Sequence, residues 1–163
     1  MNYLWFVATF VLLVLWMYIA SCFKVPNQVV ILQTTLQDFR FDMLREKQPV
    51  VIQDQIVSLP DIQKMWFSPN IVSSYKFTTS QVWEKNKSKF MVFCAREEGD
   101  LYLYPMAYKW IDGAPDPQET LIAIHMKPQQ LVIVPFGWHY LTQMEMDGLE
   151  VNDYLSIVLK AFV

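Results

Sequence analysis

The sequence predicts a mainly β domain carried behind a single N-terminal transmembrane helix. Three observations lead there. Residues 3–23 hold no charged side chain and are dominated by Leu, Val and Phe. Short β-branched runs, separated by Pro, Gly and Asp turn-formers, recur through most of the remaining chain. Helix-like spacing of apolar residues is confined to the stretch between Thr34 and Phe67. The expected architecture is a jelly roll or β-sandwich with one or two short helices. Boundaries fall at 1–23 for the anchor and 24–163 for the β domain.

The apolar run covers about 21 residues, roughly 31 Å as a helix, which suffices to cross a bilayer core. Leu4, Trp5, Phe6, Phe10, Leu12, Leu13, Leu15 and Trp16 make up the expected anchor. Tyr3 and Trp5 lie near one end and Trp16 and Tyr18 toward the other, as interfacial aromatics do. A cleaved secretory signal calls for a basic leader and a shorter apolar core. A lipoprotein signal is the sharper rival, because Ile19, Ala20 and Ser21 set small residues before Cys22. A buried core helix is the third reading, and an uncleaved anchor the leading one. Lys24 follows the span, so the positive-inside tendency puts the β domain on the cytoplasmic side.

Pro26 stops the helix within a short turn at 24–28. "VVIL" (29–32) reads as a strand. In "TTLQDFRFDMLREKQ" Thr34 or Thr35 caps a helix, with Asp38 in its first turn and Leu36, Phe39, Met43 and Leu44 on one face. Pro49 ends it, and "VVI" (50–52) is a buried strand. A second short helix starts at Pro60, with Ile62 and Trp66 on one face. "SSYKFTTSQVW" and "KFMVFCA" (89–95) read as strands. "EEGD" then turns the chain into "LYLYPM", making a hairpin. "DGAPDP" is a loop. "TLIAIHM" (120–126), the tight turn "KPQQ" and "LVIVPF" follow, and the tail "NDYLSIVLKAFV" supplies a last strand.

Composition excludes several functions. The net charge is −3 and no like-charge run exceeds a few residues, so no basic stripe for nucleic acid exists. "EKNKSK" (84–89) reads as a solvated loop; its Asn-Lys-Ser sequon matters only in a luminal domain. The two cysteines, Cys22 and Cys94, make no disulfide framework. Cys22 reads as an inert membrane-edge thiol, with acylation as the alternative, and Cys94 as a core thiol. Ser73, Ser74 and Ser80 lack a nucleophile-elbow setting. Glu97, Glu98 and Asp100 read as a solvated hairpin tip, with a cation site as the alternative, and His125 as a satisfied, half-buried histidine on an apolar strand, with a ligand role as the alternative. The tyrosine-rich segment carrying Tyr102, Tyr104, Tyr108 and Trp110 reads first as strand packing and second as an interface.

Two stretches resemble a known family. "LQDFRFDMLREKQPVVIQDQ" resembles the entrance to the cupin-like JmjC domains: a short helix, a proline and a buried "PVVI" strand. "IHMKPQQLVIVPFGWHYLTQ" resembles their exit, with a corner formed by Pro135, Gly137, Trp138, His139 and Tyr140. The resemblance covers both ends of the β domain. It implies a cupin-like barrel. Active members hold iron with two histidines and a carboxylate and use 2-oxoglutarate. Their first two ligands come from a His-x-Asp/Glu pair, which this sequence lacks, since His125 is followed by Met126 and Lys127. Their last ligand stands two places after the corner tryptophan, where this chain carries Tyr140. His139 is one place early, and in a strand one place turns a side chain to the other face.

No catalytic residue, metal, cofactor or small-molecule substrate is therefore expected. The degenerate Pro-x-Gly-Trp corner followed by Tyr resembles cupin-like proteins of large double-stranded DNA viruses, which wrap an internal membrane inside a shell. That resemblance implies a membrane-anchored minor capsid protein whose partners are a lipid bilayer and other capsid proteins. The rival from another class is a membrane-tethered Fe(II)/2-oxoglutarate oxygenase. A third reading is a binding module that uses a vestigial cavity.

Overall fold

Residues Asn2–Cys22 form one helix, α1, in the computed structural model, which describes residues 2–23, 29–54, 59–68, 70–79, 82–106, 108–111, 113–116, 119 and 121–160. The expected turn at 24–28, Ser80 and the side chain of Cys22 lie outside what is described. After α1 come β1 (Leu32–Thr34), a 3-10 turn (Met43–Glu46), β2 (Val50–Ile52), α2 (Leu59–Phe67), β3 (Ile71–Phe77) and β4 (Glu84–Lys85). Then follow β5 (Phe90–Ala95), β6 (Gly99–Tyr104), β7 (Trp110–Ile111), β8 (Ala114–Pro115) and β9 (Ile122–Met126). The chain closes with β10 (Leu131–Pro135), β11 (His139–Thr142), β12 (Met146–Asn152) and α3 (Tyr154–Lys160). Among the described residues strand exceeds helix, 37% against 28%, so the protein is mainly β with an N-terminal apolar helix.

Two sheets face each other as a sandwich. The larger runs β1-β2-β10-β5-β12-β3 and the smaller β4-β11-β6-β9. Between them Met91, Phe93, Val132, Val134 and Met146 meet Leu101, Leu103, Ile124 and Tyr140. The larger sheet is also covered on its other face. Val50, Val92, Leu131, Ile133 and Leu149 pack under Leu44 and under Ile62, Trp66 and Phe67 of α2. Burial on both faces explains why "FMVFCA" and "LVIVP" are apolar throughout instead of alternating. Each large apolar side chain of α2 so buried contributes roughly 1.5–3 kcal/mol.

Four expectations need correction. The predicted helix after Thr34 is a single turn followed by the 3-10 turn. Its cap does form, with the Asp38 N–H donating to the Thr35 hydroxyl at 3.2 Å, and that hydroxyl donating in turn to the Asp38 carboxylate at 2.7 Å. However, Phe39 and Phe41 both pack on α2, against Trp66 (4.3 Å between ring centroids) and Phe67 (6.4 Å). A helix would turn those two rings to opposite sides. The first strand is β1, shifted to Leu32–Thr34.

The segments 90–95 and 99–104 do not form a hairpin. Both edges of β5 are taken, by β10 and β12, so the chain crosses to the smaller sheet, where β6 pairs with β11 and β9. The tail is a helix and not a strand. Asp153 caps α3: its carboxylate accepts the Ser156 N–H (2.8 Å) and its own N–H donates to the Ser156 hydroxyl (2.8 Å), a reciprocal cap that outweighs the β-branched run behind it.

Candidate functional site

The corner at 135–140 is fixed by residues that sequence reasoning assigned to solvent. Asn86, expected in a loop, is fully buried. Its side-chain amide donates to the Val134 and Pro135 carbonyls (2.9 and 3.0 Å), and its side-chain oxygen accepts the Ser88 N–H (2.9 Å). Its backbone closes the bracket: Gly137 N–H donates to the Asn86 carbonyl, and Asn86 N–H to that of Trp138, both at 2.8 Å. The amide's donors and its acceptor are thereby used. A glycan has no atom to attach to in the folded head. Trp138 is buried and donates its indole N–H to the Lys47 carbonyl at 3.0 Å, tying the corner to the chain before β2.

Beyond the corner, β11 sends alternate side chains to opposite faces. The Tyr140 ring fills the space between the sheets, 4.9 Å from Phe93 and 6.1 Å from Phe77. Its hydroxyl donates to Glu84 at 2.7 Å, and burial, then Glu84, pushes its pKa up, so it stays a neutral phenol. His139 lies on the outer face against Trp110, with ring centroids 4.3 Å apart. Burial, then Lys85, lowers its pKa to about 4. An iron site does not fit these residues. Tyr140 occupies the space, Glu84 is bound to it, and no group of three His, Cys, Asp or Glu side chains among the described residues is arranged to hold a metal ion.

Beside Tyr140 the sandwich opens into a shallow cavity of about 260 Å³, lined by Tyr75, Glu84, Lys87, Ser88, Glu150 and Lys160 among others. Glu150 is the buried charge here. It accepts from Ser88, Asn152 (3.2 Å) and Lys160. Burial alone would raise its pKa; Lys160, Ser88, Tyr75 and Asn152 outweigh that and hold it at about 2. The sequence offered no sign of this network, because its members are spread from Tyr75 to Lys160.

The other candidates separate. Tyr104, offered as interface, is fully buried; its hydroxyl donates to the Lys109 carbonyl at 2.7 Å, and its ring packs on Trp83, Tyr108 and Trp110. Tyr102, Tyr108 and Trp110 are half-buried. Cys94 is half-buried on the wall of a groove beside α2, and burial raises its thiol to about 11. His125 is exposed, correcting the half-buried expectation. It bridges Asp100 (2.9 Å) and Glu98 (3.0 Å), whose hydrogen bonds raise its pKa. The two histidines should therefore titrate far apart. Following their ring protons by NMR across a pH series should give a midpoint near 4 for His139 and one above 6.5 for His125. Overlapping midpoints would contradict the two environments.

The last feature is where α1 meets the head. Residues Tyr3–Ser21 are long and apolar enough to cross a membrane; none of that window is buried, and Tyr18 and Ile19 near its end are half-buried. Every anchor residue from Leu4 to Trp16 named above is exposed. At its C-terminal end Tyr18 donates its hydroxyl to Asp153 at 2.9 Å, and Phe23 meets Phe136 edge-on at 5.6 Å. Asp153 also pairs with Lys89 at 2.8 Å. Comparison of the chain with models of known protein families, with curated proteins and with solved structures gives no match in any of the three.

Proposed function

We propose that this chain is a membrane-anchored structural protein whose β head acts by protein–protein contact and carries out no reaction. In this reading α1 crosses the bilayer and the head stands on the cytoplasmic, capsid-facing side. There it ties an internal viral membrane to the overlying shell as a minor capsid protein. The observation that carries the reading is the pairing of a bare apolar helix with a head whose inter-sheet space is plugged by Tyr140 and its aromatic neighbours. A free apolar helix of that length calls for lipid. A filled core leaves surface contact as the head's means of action. The resemblance of the 135–140 corner to degenerate cupin-like viral proteins supplies the shell.

Fractionation tests it. Particles containing the chain are treated with mild detergent, and the chain is followed together with lipid and shell proteins. It should stay with the shell after lipid is removed, and chemical cross-linking should join its head to shell subunits. Complete release with the lipid, or purified protein that carries stoichiometric iron and consumes 2-oxoglutarate, would overturn the proposal.

A further inference from the structure

Helix α3 turns mostly polar groups toward the head. Ser156 is 3% exposed and hydrogen-bonded to Asn152 and Asp153, Lys160 reaches Glu150, and Leu159 is half-buried. The residues it turns outward are apolar: Tyr154 is 82% exposed and Val158 55%, with Leu155 and Ile157 also exposed. At 3.6 residues per turn these four positions share an arc of about 160°. A contiguous exposed apolar face of this kind marks a contact surface.

Its position names the contact. The residue that caps α3, Asp153, is also the residue that accepts the Tyr18 hydroxyl. Tyr18 lies only three residues before Ser21, the last residue of the apolar window, or about 5 Å along the helix axis. The start of α3 is thus level with the end of the span, where the hydrocarbon gives way to headgroups. Tyr side chains are favoured at that depth. Phe23 and Phe136, in edge-to-face contact, sit at the same junction. The far end of the head is unlike it. Glu97, Glu98, Asp100 and His125 gather there, about five residues along β5, or roughly 17 Å away.

We propose that the outward face of α3, formed by Tyr154, Leu155, Ile157 and Val158, lies in the headgroup region of the same bilayer that α1 crosses. This rests on α1 being a membrane span. A short helix lying in the interface in this way buries its apolar side in the acyl boundary. The head is then held at two places, and it stands in one orientation on the membrane instead of swinging on a single stalk.

The test uses the full chain in phosphatidylcholine vesicles, with a photo-reactive benzophenone amino acid replacing one residue at a time. Leu13 reports on the span, Val158 on α3, and Glu98 on the far end of the head. Val158 points away from the head, so its replacement leaves the packing intact. After irradiation, phospholipid adducts are expected at positions 13 and 158 and not at 98. Adducts at 13 alone would overturn the α3 contact while leaving the anchor standing. Cross-linking of 158 to another copy of the chain would overturn it in favour of self-association. No adduct at either 13 or 158 would remove the anchor and the contact together.

Discussion

Asn86→Ala should lower the stability of the head by about 3–5 kcal/mol. The side chain is fully buried and makes three hydrogen bonds, two into the end of β10 and one to Ser88. Alanine leaves a buried N–H and two buried carbonyls without that partner, and each stranded group costs about 1–3 kcal/mol. It also opens a small void beside the corner. The loss should appear as a fall in the melting temperature of the detergent-solubilised chain on the order of 10 °C. Lys87→Ala, one residue away and exposed, should change it little. Equal melting of Asn86→Ala and the parent would show that the bracket does not hold the corner.

Gly137→Val should be nearly as damaging, at about 2–4 kcal/mol, for a different reason. Gly137 sits at φ +85°, a region that β-branched residues strongly avoid. A Cβ there would also lie 2.5 Å from the Met106 sulfur. The two causes can be told apart. Met106 is flexible and only half-buried, so removing it in Gly137→Val/Met106→Ala should relieve the clash but not the backbone strain. Chemical denaturation should therefore show partial recovery. Full recovery would assign the whole effect to the sulfur.

Much of the fold was legible because one physical signal dominated each element. The uncharged run could only be a long apolar helix. The unbroken apolar strands β5 and β10 follow from burial on both faces. Pro60, Ile62 and Trp66 gave α2 its start and its face. What stayed illegible was long-range. Whether β5 pairs with β6 is decided by β10 and β12, whose paired residues lie 37–45 and 51–61 positions further on and take both of its edges. The α3 cap was visible as Asp153 followed by Ser156, but the apolar run behind it read as a strand because nothing local says which side meets the head. Asn86 read as a surface residue because polar side chains usually are, and nothing in the sequence singled out Glu150. Their burial depends on carbonyls and lysines far along the chain. Tyr140 was the exception: strand alternation from the Trp138 corner was enough to aim it inward and His139 outward.

The buried amide of Asn86 also sets a race for any copy that enters a secretory lumen. Oligosaccharide transfer acts on extended chain, and Asn86-Lys87-Ser88 is an acceptor sequence while the chain is still unfolded. A sugar attached at that moment would occupy the nitrogen that must later reach the Val134 and Pro135 carbonyls, and the sandwich could not close around it. A head glycosylated before folding would thus be unable to complete its corner, whereas one folded first would present no free amide to the transferase.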